Sequence, residues 1–259
     1  MVVPTIPQRI VSLCPSITET LYALGLGKRI VGRTRFCIHP AKSVKQAVRV
    51  GGTKAIKFDR LHSLKPDLII AEKEENTLEM VEILREDYPV YVIDVRTIEH
   101  VYRMIRDLGM LTGTHELASN INCRLNNTLS SIQAFSKPVS CFYLIWEEPL
   151  MVVGKDTFID AMLSRLKLDN LGRQFSGRYP AISAKQLMQA KPDLILLSSE
   201  PFPYQEKHLL DWRMRCPQSV VELVDGEIFS WYGTHLLEAG AYLDSFSFQI
   251  QSDLNLKRS

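Results

Sequence analysis

The side chains here that could do chemistry are six histidines, five cysteines and a scatter of aromatic and arginine residues. The histidines (His39, His62, His100, His115, His208 and His235) lie far apart, so only the fold could bring one to a carboxylate. No HExxH or GxSxG stretch supplies a ready-made zinc or nucleophile site. Cys14, Cys37, Cys123, Cys141 and Cys216 have no CxxC spacing. An odd, dispersed set suits small buried apolar side chains better than zinc or a disulfide framework. Gly25-Leu26-Gly27 and Gly51-Gly52 fit helix-end or turn glycines, because neither belongs to a GxGxxG or P-loop pattern. The expectation is no catalytic constellation and no metal site of the chain's own.

The aromatic residues point to binding instead. Phe36, Trp146, Tyr179, Trp231 and Tyr232 all fall at expected strand ends or in the loops that follow them, interleaved with Arg33, Arg35, Arg173 and Arg178. Open α/β sheets bind ligands beyond the carboxyl ends of their strands. An aromatic and cationic rim there suits a large, partly apolar, anionic ligand held by stacking and by arginine contacts to carboxylates or phosphates.

The elements that must position this rim come from a repeat. Lys65-Pro66-Asp67-Leu68-Ile69-Ile70-Ala71 returns as Lys191-Pro192-Asp193-Leu194-Ile195-Leu196-Leu197, each time after a short amphipathic run, 58–64 and 183–190. Proline ends the helix before it, the aspartate sits in the turn, and the continuous apolar run reads as a strand buried on both faces of a parallel sheet. A helix-turn-strand unit repeated at half the chain length implies two similar α/β lobes.

Along the chain, strands are expected at 9–13, 30–32, 91–94, 141–146, 220–224 and 228–230. Helices are expected at 18–24, capped by Ser16 or Thr18, and at 98–111, 158–166 and 239–250. A further helix over 116–135, free of Gly and Pro, would serve as a strut of about 30–35 Å. This gives an N-terminal lobe over 1–113, a connecting backbone helix over 114–136 and a C-terminal lobe over 137–259. Apolar content of 46 % and a net charge of +2 speak against disorder and against a generally basic nucleic-acid surface. The apolar runs are too short to cross a bilayer. Met1 to Arg9 lacks a basic segment followed by an apolar one, so no secretory signal is expected there.

Taken together, Arg9-Ile10-Val11-Ser12-Leu13-Cys14-Pro15-Ser16 with Thr18-Glu19, Gly25-Leu26-Gly27, Ile30-Val31-Gly32, both Lys-Pro-Asp-Leu units, Gly154-Lys155-Asp156-Thr157 and the tail around Trp231 resemble a known family. It is that of the periplasmic-binding-protein-like, helical-backbone (class III) receptors of ABC importers for corrinoids, haem and ferric siderophores. The likeness runs from about Arg9 to Phe248 and is nearest to the cobalamin receptors. It implies two Rossmann-like lobes with parallel sheets, joined by one long helix, and a ligand clamped in the cleft between them. By position, Pro15, Phe36, Met151 and Trp231 would face that cleft, alongside Arg35, Trp146, Arg178, Tyr179 and Tyr232 from the rim. Thr53 and Glu72 stand where corrin receptors carry aromatics. Asp59 matches one permease-docking acid, and Lys185 stands at the other.

The resulting expectation is a non-enzymatic, monomeric substrate-binding protein. Its ligand would be cobalamin, a ferric siderophore or haem, its partner an ABC permease, and its location the periplasm or cell surface if a leader is removed, otherwise the cytoplasm. The alternative is a cytosolic enzyme or metallochaperone-like protein on the same scaffold. A redox partner using Cys14 or Cys37 is the weakest option.

Overall fold

A computed structural model of the chain describes residues 6–258; part of the Met1 to Arg9 stretch considered for a leader, residues 1–5, lies outside them. The described chain divides into two compact units. One takes the chain to Val95, Glu99–Asn127 and Tyr232–His235, and the other takes Arg96–Ile98, Thr128–Trp231 and the chain from Leu236 onward.

In the first unit β1 (Ile10–Ser12), β2 (Ile30–Thr34), β3 (Val48–Gly51), β4 (Leu68–Glu72) and β5 (Val90–Ile93) form one parallel sheet in the order β3-β2-β1-β4-β5. Helices α1 (Pro15–Ala23), α2 (Phe58–Ser63) and α3 (Leu78–Asp87) connect the strands, followed by α4 (Ile98–Thr112) and α5 (His115–Ser131). Every residue of β4 is buried, as the unbroken apolar run requires. One core cluster joins Val11 of the central strand and Leu13 just beyond it to Ile69, Leu61 of α2, and Met80, Val81 and Leu84 of α3.

The second unit is built alike. Its strands are β6 (Val139–Trp146), β7 (Met151–Val152), β8 (Leu168–Asn170), β9 (Leu194–Ser198) and β10 (Val220–Val224), interleaved with α6 (Phe158–Arg165), α7 (Ala184–Ala190), α8 (Glu206–Arg215), α9 (Gly226–Ser230) and α10 (Leu236–Arg258). β6 pairs in parallel with β9 and β8, and antiparallel with the short β7. No described helix is long and apolar enough to cross a membrane.

The repeated Lys-Pro-Asp does the same work in both units. Lys65 and Lys191 adopt left-handed backbone angles, φ 45° and 46°. Each sits just beyond a helix end, where such a residue turns the chain, and the proline then prevents the helix from resuming. The aspartate that follows pins the start of the sheet's central strand. Asp67 accepts the backbone N–H groups of Gln8 (2.7 Å) and Arg9 (2.8 Å). Asp193 accepts the Ser140 N–H (3.1 Å) and hydroxyl (2.7 Å), while its own N–H donates back to that hydroxyl (2.9 Å).

Several boundaries differ from the expectation. Helix α1 begins at Pro15 with Cys14 as its N-cap, so Ser16 and Thr18 lie inside it and do not cap it. α5 stops at Ser131, not near residue 135, because the amides beyond it have other partners. The Gln133 N–H donates to Asp244 (2.8 Å) and the Phe135 N–H to the Leu166 carbonyl (3.1 Å). Its 17 residues therefore extend about 25 Å. Residues 228–230 are helical rather than a strand, because the Asp225 side chain accepts the Glu227 N–H and starts α9. β3, α3 and α8 carry no expectation from the sequence.

Replacing Asp67 or Asp193 by Ala leaves strand-entry donors without their acceptor. Each change should lower stability by about 1–3 kcal/mol in denaturant titration. Since they act in separate units, the two losses should add to within about 0.5 kcal/mol in the double variant.

Candidate functional site

In the first sheet the strand order reverses between β1 and β4, since β2 and β3 extend to one side and β5 to the other. The carboxyl ends flanking such a switch point are where an open parallel sheet leaves room for a ligand. Ser12-Leu13-Cys14-Pro15 leave β1 there, and Glu72 ends β4. In the second sheet β8 lies on one side of β6, with β9 and β10 on the other, so the reversal falls between β6 and β9. Trp146 ends β6, and Ser198 ends β9, with Glu200 two residues beyond it.

The expected site residues distribute over these two edges. Arg35 and Phe36 follow β2. Phe36 is 45 % exposed, and the Arg35 guanidinium lies over its ring, 4.7 Å from the centroid. This is a cation–π pair with an open aromatic face. Pro15 is half-buried at the first turn of α1. In the second unit Trp146 is 40 % exposed and paired with Met151 across β6 and β7. Its indole N–H is satisfied by the Glu148 carbonyl (2.9 Å), and Phe202 meets it edge-on at 5.8 Å. The half-buried Arg178 and Tyr179 run beside this strand pair, where the Gly154 N–H donates to the Arg178 carbonyl (2.8 Å).

Trp231 and Tyr232, expected on the rim, are both buried, and they are anchored in different units. The Trp231 indole N–H and the Ser230 hydroxyl donate to one oxygen of Glu200, at 3.0 and 2.7 Å. The Tyr232 hydroxyl faces the Cys14 sulfur at 3.7 Å. Two arginines of the anticipated rim do structural work. Arg33 is buried and donates to the carbonyls of Val44, Thr34 and Cys37. Arg173 pairs with the buried Asp160 at 2.7 Å, which also accepts from Asn170. Asp59 and Lys185 are exposed on α2 and α7.

Sequence reasoning missed Asn76, the residue that ties the first edge together. Its amide donates to the carbonyls of Leu13 (3.2 Å) and Thr53 (2.9 Å), and its oxygen accepts the Glu72 N–H (2.8 Å). Three loops at the carboxyl edge thus share one buried side chain. Glu72, only 2 % exposed, uses one carboxylate oxygen to accept the N–H groups of Glu74 (2.6 Å) and Glu75 (2.8 Å). Burial, which the two amides only partly offset, pushes its carboxyl up to about 7. Burial likewise raises the Cys14 thiol and the Tyr232 hydroxyl, so both are neutral at physiological pH. The sulfur of Cys37 receives the Thr18 hydroxyl at 3.1 Å.

His235, also buried, faces the Glu19 carboxylate through Nδ1 at 3.1 Å, and its ring lies 5.7 Å from that of His39. A histidine and a carboxylate that the sequence leaves far apart therefore do meet. Among the described residues no three His, Cys, Asp or Glu side chains gather so as to hold a metal ion. Of all these groups, Phe36, Arg35 and Trp146 are exposed at the two edges, and side chains of these kinds can hold a ligand by stacking and ion pairing.

Asn76→Asp keeps the shape but removes both donors and places an acid beside Glu72. It should cost at least ~2 kcal/mol in thermal or chemical unfolding, more at pH 8 than at pH 5.

Comparison with known proteins agrees with this architecture. The chain is 25 % identical over 201 residues to the vitamin B12-binding protein of Pectobacterium atrosepticum, covering 74 % of this chain and 72 % of that one. The structure of the periplasmic vitamin B12-binding protein BtuF of Vibrio cholerae superposes with a TM-score of 0.81 at 22 % identity, over 96 % of this chain and 99 % of that one. The periplasmic haem-binding protein HutB of Vibrio cholerae follows at 0.76 and 19 %, over 92 % and 98 %. With two α/β units on parallel sheets and a match to the family model over residues 10–211, the chain belongs to the periplasmic binding protein family.

Proposed function

We propose that this chain is the substrate-binding component of an ABC-type importer and takes a bulky metal chelate: a corrinoid, a haem or a ferric siderophore. The observation that carries the reading is the pair of open aromatic faces, Phe36 under Arg35 and Trp146 beside Met151, each at the carboxyl edge of its own sheet. Relatives named for vitamin B12 and haem binding support the chelate class. Such a ligand offers broad apolar faces for the two aromatic rings and peripheral polar groups for Arg35 and Arg178. Pro15, Met151 and Tyr179 complete the apolar contacts, and Trp231 and Tyr232 support the loops from beneath. The metal belongs to the ligand, and the protein's part is capture without covalent chemistry.

Release requires a permease, and the proposed docking positions are Asp59 and Lys185. They carry opposite charge, so the permease would have to present a cation to one unit and an anion to the other. A monomer in the periplasm or at the cell surface suits this role.

Tryptophan-fluorescence titration of the purified chain with cyanocobalamin, haemin and a ferric hydroxamate should give saturable quenching by at least one of them. Phe36→Ala and Trp146→Ala should each weaken that binding about tenfold or more, with unfolding midpoints close to the parent's. Failure of all three chelates to quench would exclude the reading.

A further inference from the structure

Glu72 is out of place by ordinary rules. A carboxyl group with 2 % exposure, at the end of a parallel strand and beside the switch point, normally has a cation against it. The groups that act on this one are of the other kind. Glu74 and Glu75 lie in the turn after β4, Cys14 comes from the loop after β1, and Tyr232 comes from the segment held in the first unit. Each either is negative or becomes negative on ionising. Two nearby cations are engaged elsewhere: Lys54, from the loop after β3, bonds to the Glu74 carbonyl, and Lys73, in the turn itself, pairs with Asp94 at 3.1 Å.

The position is also mechanically central. One oxygen of Glu72 holds the amides of residues 74 and 75, and its own N–H and carbonyl hold Asn76. Asn76 in turn holds the Leu13 and Thr53 carbonyls. Pro15 lies two residues past Leu13, and Thr53 follows the Gly51-Gly52 turn, whose Gly51 carbonyl accepts the Arg35 N–H (2.7 Å). A disturbance at Glu72 therefore reaches each loop that carries Pro15, Arg35 and Phe36.

We propose that Glu72 is a proton-operated positioning residue: neutral, it keeps the three loops of the first edge closed; ionised, it loosens them and weakens the ligand's hold. This rests on the chelate-binding reading for its ligand arm only. An opened turn would expose the carboxyl to water, where it ionises near the ordinary value of 4.5; closed, it ionises near 7. The closed form is therefore favoured fully below about 4.5 and progressively less up to about 7, beyond which the effect levels off. Glu72→Gln fixes the neutral shape and removes the dependence.

The test uses the full chain in two arms at pH values from 4.5 to 8. Without ligand, the melting temperature of Glu72→Gln relative to the parent should climb through that window and plateau above 7. Amide exchange of residues 73–76, corrected for intrinsic rates, should accelerate over the same window in the parent alone. A melting difference that does not vary with pH overturns the inference, whatever the protein binds. In the second arm, the affinity of the parent for cyanocobalamin should fall about fivefold from pH 5 to pH 8, while that of Glu72→Gln stays level. Equal profiles for the two proteins overturn the coupling to ligand. Absence of binding by cyanocobalamin, haemin and a ferric hydroxamate alike overturns the functional reading and leaves the unliganded arm to decide Glu72 by itself.

Discussion

A carboxylate that seizes the main chain just before a central strand sets the frame of each unit. Asp67 and Asp193 sit in a turn that their own lysine and proline impose, and each reaches some fifty residues or more back along the chain to the entry of its sheet's middle strand. Both aspartates take backbone N–H groups, which fixes position and register, and Asp193 adds the Ser140 hydroxyl. With the middle strand fixed against the buried run that follows the aspartate, the neighbouring strands add by parallel pairing. The carboxyl ends of β1 with β4, and of β6 with β9, then lie side by side. Pro15 and Glu72 sit at the first pair of ends and Trp146 at the second.

The two edges solve a shared problem by different means. A switch point leaves polar backbone at the mouth of the sheet, and it must be held without a covering strand. In the first unit Asn76 and Glu72 do this with four donor–acceptor contacts to loop backbone, in a setting dry enough to raise the carboxyl to about 7. In the second, Glu200 gathers the Ser230 hydroxyl and the Trp231 indole N–H, and Ser198 accepts from Tyr143 at 3.1 Å. Glu72 and Ser198 occupy the same place in the repeat, so an acid at one edge is answered by a hydroxyl at the other.

What could be read from the sequence follows from how local each signal is. The Lys-Pro-Asp turns, the buried runs after them, β6 and α6 are written in contiguous residues, and they fold as the pattern says. β3 was hidden because it is an edge strand with two exposed residues in four, and α8 because its buried Leu209 and Trp212 are too few to mark a period. Residues 228–230 look like a strand by composition but become helical through a single cap. The rim was half legible. Phe36 and Trp146 are presented as loop aromatics should be, whereas Trp231 and Tyr232 are buried by partners more than thirty and two hundred residues away. Arg33 and Arg173 show the same limit from the other side: a cation satisfied by distant carbonyls or by a buried acid looks, in one dimension, like any surface charge. Asn76 offered no signal at all, since an asparagine after a strand is ordinary until its three partners are known.

The passage of residues 232–235 through the first unit has a consequence for how this molecule could have arisen and how it can be divided. The chain leaves that unit after residue 127, returns for four residues and departs again for α10. Those four residues bring the Cys14–Tyr232 contact, the Thr20 bond to the Thr234 N–H, the Glu19–His235 pair and a glycine at φ 88° against Thr20, where any side chain would collide. A cut at the midpoint of the polypeptide would thus strip one half of part of its interior. The two copies of the repeat are alike in design yet no longer separable as genes, and an engineer exchanging halves between relatives would have to carry this short return segment with the first half rather than the second.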